Sequence, residues 1–504
     1  MTDPTPPTPQ SGSSPIPLSN ATLPSLAISV PGYDRTHVVA GIAHIGVGGF
    51  HRAHQAMYVD RLLTDGVPGS QHWGICGIGV LPHDAHMRDA LAAQDHLYTL
   101  VLRHPDGRQE ARVIGSIVDY LLAPDDPRAV IDRLSEPAIR IVSLTVTEGG
   151  YNIDNDTGAF DIDNPDVRHD VAEPELQTTV FGLVVGALER RRATGIPPFT
   201  VMSCDNIQSN GDVARAAFTA FAELRDPELA AFVSQQVAFP NSMVDRITPA
   251  TTDADRTDVG HRFGVADAWP VVCEPFTQWV LEDRFGDGRP AYERAGVQIV
   301  DDVAPYERMK LRLLNARHQG VAYFGRLAGH TYVHDAMADE VFAPFLRAYM
   351  HREAVPTLGD IPGVDLWAYC DELIERFSNP HVADTTARLA FDGSERIPKF
   401  LLPVVRDRLR TGGDVRLSAA IVASFALYCE GSDESGGPIT LDDQRASSLS
   451  AAAAQHANDP LAFVRQRELF GDLAVESGFT TPYLSALKSL RSKGSRATMH
   501  ELVS

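Results

Sequence analysis

Residues 41–55 read Gly41-Ile42-Ala43-His44-Ile45-Gly46-Val47-Gly48-Gly49-Phe50-His51-Arg52-Ala53-His54-Gln55, a short apolar run that ends in a glycine cluster and continues into a helix candidate over 51–63. Glycines at a strand-to-helix junction allow a tight turn and a close backbone approach, and the start of the helix offers free N–H groups to a pyrophosphate. Gly46, Gly48, Gly49, Phe50 and His51 are therefore candidate dinucleotide-binding residues. The pattern departs from Gly-x-Gly-x-x-Gly because position 51 is His, which leaves a plain turn open as the alternative.

Working outward, further apolar runs at 73–80, 139–146 and 199–204 alternate with helical-period segments such as 175–192. This alternation predicts an α/β fold, an expanded Rossmann domain with a mainly parallel sheet and helices on both faces. Beyond about residue 300 the segments 305–328, 340–351, 367–377, 417–428 and 447–470 all read as helices, which predicts a second, mostly α-helical domain. The expected organisation is an arm over 1–38 rich in Pro, Ser and Thr, flexible or surface-hugging, a nucleotide-binding domain over 39–300 and a helical substrate domain over 301–504.

Composition narrows the function. A chain of 504 residues exceeds one ordinary hydrophobic core, so two domains are expected from length alone. The 66 acidic against 44 basic residues give a net charge of -22, a field that repels nucleic acid and anionic lipid. No stretch of about 18 apolar residues offers a membrane span, and the N-terminus lacks the basic start and apolar core of a signal peptide. Five widely spaced cysteines without a Cys-x-x-Cys pair fit a reducing, cytoplasmic location and no cysteine-built zinc site. His51 with His54, and His83 with His86, have one-face spacing but suggest no third ligand, so no metal is expected.

Polar residues close the apolar runs. Asp84 stands just after the second run, where an adenosine ribose needs an acceptor, and favours NAD; it would equally serve as a helix N-cap before Ala85. Thr147-Glu148-Gly149-Gly150-Tyr151 follows the third run and Cys204-Asp205-Asn206 the fourth. Ligands of open parallel sheets bind outside the carboxyl ends of the strands, which makes Glu148 and Asn206 candidates, with turn formation as the competing explanation.

The segment from Pro305 to Gln319 carries the chemistry. Only four of the 44 basic residues are Lys, and one, Lys310, falls here. At about 100° per residue, Leu311, Leu314, Asn315, His318 and Val321 lie within an arc of about 140° from Lys310, while Arg308, Arg312, Gln319 and Arg326 lie elsewhere. Lys310, Asn315 and His318 thus share the apolar face. A buried Lys can give up its proton and Arg cannot, so Lys310 is the candidate general base. An ordinary amphipathic helix with a snorkelling Lys is the competing reading for any one of these residues. Tyr306 and Lys310 also match Tyr-x-x-x-Lys of short-chain dehydrogenases, but the chain lacks that family's Thr-Gly loop and short spacing, so the match is read as chance.

Taken with Phe239-Pro240-Asn241-Ser242-Met243-Val244-Asp245-Arg246-Ile247, Asn210-Gly211 and Lys310-x4-Asn315-x2-His318, these stretches resemble the polyol-specific long-chain dehydrogenases from about Tyr33 to about residue 490. The resemblance implies metal-free, NAD-dependent oxidation of a secondary alcohol, with D-mannitol to D-fructose and the reverse as the leading reaction. A hexuronate reductase acting on fructuronate, or another polyol dehydrogenase such as one for arabinitol, is the alternative. It further implies Lys310 as general acid/base, Asn206 and Asn315 as an oxyanion hole, His318 on a substrate hydroxyl, Asp245, Glu148 and Glu307 around the substrate or its proton path, Arg388 on the polyol, and Asp84 on the ribose. A monomer acting on a small molecule is the expected state.

Overall fold

The computed structural model describes residues 14–154 and 158–504; the first 13 residues of the N-terminal arm lie outside them. The chain divides into two compact units, one built from the described residues up to His104 with Arg108–Val303, the other from Pro105–Gly107 with Ala304–Ser504.

The first unit is organised by five parallel strands, β1 (Ala40–Ile45), β2 (Gly74–Gly79), β3 (Ile117–Leu122), β4 (Ile141–Leu144) and β5 (Thr200–Ser203), in the order β3-β2-β1-β4-β5. Every residue of β1, β2, β4 and β5 is buried, as expected of strands covered on both faces. Alternate side chains feed two cores. Ala43, Ile45, Val142, Leu144 and Val201 pack with helices Val180–Thr194 and Asn210–Arg225, whereas Ile42, Ile75, Ile141 and Met202 face the helix that follows the glycine loop. The strand order reverses beside β1, which places the ligand crevice of such a sheet at the carboxyl ends of β1 and β4.

The reading of the apolar runs did not include β3, nor the hairpin of Tyr98–Arg103 and Gln109–Ile114. Gln109-Glu110-Ala111-Arg112 looks like a polar loop, yet its hairpin partner is buried through Tyr98, Leu100 and Val101. The helix expected over 51–63 is broken: α1 (Gly49–Ala53) ends at His54, and α2 (Gln55–Thr64) starts anew. The described part of the arm runs along this unit, with Ile16–Pro17 paired in parallel with Val265–Ala266 and Leu18 buried beside Val101 and Val259.

In the second unit the helix expected over 305–328 has three parts: α3 (Ala304–Met309), a π-helical turn π1 (Lys310–Asn315) and α4 (Ala316–Leu327). Helix α5 (Phe342–Tyr349) passes into π2 (Met350–Ala354), and π3 (Ile397–Leu401) leads into α6 (Leu402–Arg410). The helix α7 (Arg416–Tyr428), buried from Leu417 onward, packs on α4 and on the C-terminal helix Ser477–Val503. Its free amino-terminal amides are met by Glu353 of π2, which accepts from Leu417 N at 2.7 Å and Ser418 N at 2.8 Å. The single helix expected over 447–470 is instead Ala446–Ala453 followed, after a break, by the short turns Phe463–Arg465 and Arg467–Phe470. Among the described residues no helix is long and apolar enough to cross a membrane.

One buried pair makes the first unit acid-sensitive. The rings of His44 in β1 and His51 in α1 stack at 3.4 Å, and burial pushes His44 down to about 3 and His51 well below the ordinary histidine range. Both stay neutral in the fold but protonate in the unfolded chain near pH 6.5, so stability is full above that pH and lost as pH falls below it. Thermal unfolding followed from pH 7 to pH 4 is expected to show a destabilisation of up to about 1.4 kcal/mol per pH unit for each histidine, and His51→Phe should flatten that slope. An unchanged slope in His51→Phe would show that the pair is not its source.

Candidate active site

The glycine loop joins β1 to α1. Gly46 has a φ of 94°, and a Cβ there would stand 2.1 Å from the Thr145 carbonyl oxygen at the end of β4, so only glycine fits. Thr145 Oγ1 donates to Gly46 O at 2.6 Å and lies 2.9 Å from His44 Nε2, which locks the loop to two strand ends. Gly48 and Gly49 leave their surroundings open, with no atom nearer than 3.5 Å to a built Cβ, and the first-turn amides of α1 have no side-chain cap. Room for a phosphate and donors to hold it coincide there. Phe50 stacks on His54 at 4.8 Å. The ring of His51 is buried on His44, which leaves its backbone amide as the group with the chemistry to meet an anion.

Asp84 does not cap the helix Ala85–Ala92, as the alternative reading supposed. Its Oδ2 reaches back to accept from Val80 N and Leu81 N, both at 2.9 Å, which fixes the turn after β2. Its other oxygen, Oδ1, lies 3.7 Å from His83 Nε2 and has the chemistry to accept from a ribose hydroxyl.

At the carboxyl ends of β4 and β5 a residue outside the candidate set does the organising. Buried Asp205 accepts from Thr147 N at 2.9 Å, from Val146 N at 3.2 Å and from Tyr151 Oη at 2.7 Å. Burial pushes its carboxyl above the usual range, opposed by these hydrogen bonds. Thr147 has φ 64° and ψ 171°, a conformation that β-branched residues avoid, and Asp205 holds it. The exposed Glu148 follows Thr147 directly and the exposed Asn206 follows Asp205, so one carboxylate sets both candidates.

Asp245 ends the strand Ser242–Asp245, which is tied to the same region. Asn210 Nδ2 donates to Asp205 O at 3.0 Å and to Ser242 O at 2.9 Å, and Ser242 Oγ donates to Ser203 O at 2.7 Å. Gly211 is required beneath this knot, since a Cβ would stand 2.5 Å from Pro240 O. Buried Arg246 donates to Ala53 O at 2.5 Å and to Glu274 O at 2.9 Å, which fastens the Asp245 strand to the end of α1. Asn210, Gly211 and Arg246, with Asn241 Oδ1 accepting from Gly211 N at 2.9 Å, thus build the site rather than line it.

In the second unit Lys310 and Asn315 are both buried on π1. Ala316 N–H donates to Leu311 O, five residues back, so the turn closes over five residues and positions 310 and 315 fall on one side. In an α-helix they would lie about 140° apart. Gln319, expected on the polar face, is instead buried, accepting from Tyr323 Oη at 2.7 Å. Arg317 is also buried, against the Phe377 ring at 3.6 Å. Glu307 is buried one turn before Lys310. Tyr306 donates its hydroxyl to Pro362 O at 2.8 Å, a tether within the fold.

His318 lies on α4 and stacks on Phe377 at 4.9 Å. Burial, reinforced by Arg317, Arg388, Arg396 and Arg376, pushes it well below the ordinary histidine range, so it is a neutral hydrogen-bonding group. Arg388 belongs to the short helix Thr386–Ala390, which packs on α4, and is exposed, with its Nε donating to Asp384 Oδ1 at 2.6 Å. Among the described residues no three His, Cys, Asp or Glu side chains are grouped to hold a metal ion.

Two family models match the chain, the mannitol dehydrogenase Rossmann domain over residues 40–294 and the mannitol dehydrogenase C-terminal domain over 302–491. A mannitol 2-dehydrogenase of Phaeosphaeria nodorum is 46% identical over 94% of this chain and 83% of its own length, and one of Aspergillus fumigatus is 42% identical over 97% and 99%. The solved structure of Pseudomonas fluorescens mannitol 2-dehydrogenase, a ternary complex with NAD and D-mannitol, is 45% identical with a TM-score of 0.85 over 97% of this chain and 99% of that one. A substrate-free D-sorbitol dehydrogenase is 40% identical with a TM-score of 0.90 over 96% and 100%. With both units matched along nearly their whole length, the chain belongs to the mannitol dehydrogenase family and is a polyol oxidoreductase.

Proposed function

We propose that this protein oxidises D-mannitol at C2 to D-fructose with NAD and catalyses the reverse reduction, without a metal ion. The observation that carries the reading is Lys310, a rare and buried lysine on a π-turn that also presents Asn315, in a chain 45% identical to an enzyme solved with NAD and D-mannitol.

The first unit suits the dinucleotide. The first-turn amides of α1 and the side-chain-free surface at Gly48 and Gly49 would hold the pyrophosphate, and Asp84 Oδ1 the adenosine ribose. NAD bound there would supply the acceptor for the hydride of the carbinol carbon. The amine of Lys310 takes the hydroxyl proton as hydride departs, and returns it in the reverse direction. Asn206 and Asn315 donate N–H groups to the oxygen as negative charge develops on it, which is what a metal would otherwise supply. Neutral His318 and the guanidinium of Arg388 hold the remaining hydroxyls, with Asp245 and Glu148 as acceptors and Glu307 on the proton path.

D-Sorbitol is the second reading, favoured by the match to D-sorbitol dehydrogenase. Mannitol and sorbitol differ only at C2 and give the same ketose, so the face of fructose that receives hydride decides between them.

Two experiments test the reading. Lys310→Ala is expected to lower kcat by about 10²- to 10⁴-fold, with Lys310→Arg failing to restore it because a guanidinium does not release its proton. Undiminished turnover in either variant would remove Lys310 from the role. Reduction of fructose by NADH, after prolonged chelation, should proceed at an unchanged rate and give mannitol. Sorbitol as product would select the second reading, and activity that is lost on chelation and restored by zinc would overturn the metal-free mechanism.

A further inference from the structure

The π-turn that carries Lys310 and Asn315 is a departure from the register that the flanking helices α3 and α4 keep, and something must hold it. In an α-helix the Arg312 carbonyl would receive the amide of Ala316; here that amide goes to Leu311 O instead. The Arg312 carbonyl accepts the hydroxyl of Tyr349 at 3.0 Å. Tyr349 is fully buried at the end of α5, immediately before π2, and burial pushes its phenol well above the usual range, so the group stays a donor at all working pH values. The Arg312 side chain is held as well, with Nη1 donating to Asp407 Oδ2 at 2.7 Å and to Thr357 O at 3.1 Å.

We propose that Tyr349 is a positioning residue for the reaction: its hydroxyl, by occupying the Arg312 carbonyl, holds the 310–315 segment in the π register and so keeps Lys310 and Asn315 on one side of the helix. This rests on the proposed role of Lys310 as the base. A return to the α register would rejoin Ala316 N–H to Arg312 O and leave Asn315 about 140° around the helix from Lys310. Tyr349→Phe removes the donor while keeping the ring, so the space stays filled and the Arg312 carbonyl becomes available to the Ala316 amide.

The test compares wild type, Tyr349→Phe and Lys310→Ala. Tyr349→Phe should lower kcat about tenfold, the equivalent of one ordinary hydrogen bond, leave the KM for NAD unchanged and shift the pH profile of kcat, because the amine's surroundings change. Amide hydrogen exchange of residues 310–317 should quicken in the variant while the rest of the second unit keeps its protection. Wild-type kcat and pH profile, or unchanged exchange over 310–317, would overturn the proposal. Exchange that quickens evenly across the whole unit would also overturn it, by showing a general loss of packing. If Lys310→Ala keeps full turnover, the base assignment falls instead, and the exchange measurement still decides whether Tyr349 holds the turn.

Discussion

A run of backbone hydrogen bonds displaced by one residue over 310–315, Ala316 N–H to Leu311 O among them, governs what the second unit can present to a substrate. It turns a helix whose regular period would set Lys310 and Asn315 about 140° apart into one that brings the two positions onto one side. The cost of leaving α register is met by packing. π1 lies against π2 and π3, Arg312 is pinned to α6 through Asp407, and α4 continues into a buried stack with α7. Under the proposed mechanism the polarising of the oxygen falls to side chains alone, and these depend on the surrounding buried polar contacts for their placement.

The first unit solves the same problem with different means. Its glycine loop works because Gly46 lets the chain pass the Thr145 carbonyl, and its strand ends work because Asp205 holds Thr147 in a strained conformation. Arg246 and Asn210 tie the loop helix, β5 and the Asp245 strand into one frame. These residues touch one another, and the exposed Glu148 and Asn206 take their positions from them.

Much of this was legible in the sequence. The runs that became β1, β2, β4 and β5 are apolar because both faces of those strands are covered, and the buried Lys310 stood out in a chain with only four lysines. Other features were hidden for physical reasons. The strand Gln109–Ile114 opens on Gln-Glu-Ala-Arg and resembles a loop, whereas β3 and Tyr98–Arg103 are largely apolar, each with a single charged residue, and carry a strand pattern. A 3.6-residue period cannot reveal a five-residue turn, so Asn315 was placed at the edge of the apolar arc and Gln319 on the polar side. Asp205 looked like part of a turn because an aspartate beside an asparagine usually is one. The burial of the His51 ring goes with its stacking on His44, a contact no local pattern encodes.

The central claim is that the Lys310 amine exchanges the proton of the reacting hydroxyl while Asn206 and Asn315 hold its oxygen. A crystal structure of this protein with NAD and D-mannitol tests it most directly. The account predicts Lys310 Nζ and both asparagine amide nitrogens within about 3.2 Å of the oxygen on C2. A C2 oxygen held by other side chains, with Lys310 turned to a separate ion pair, would contradict it.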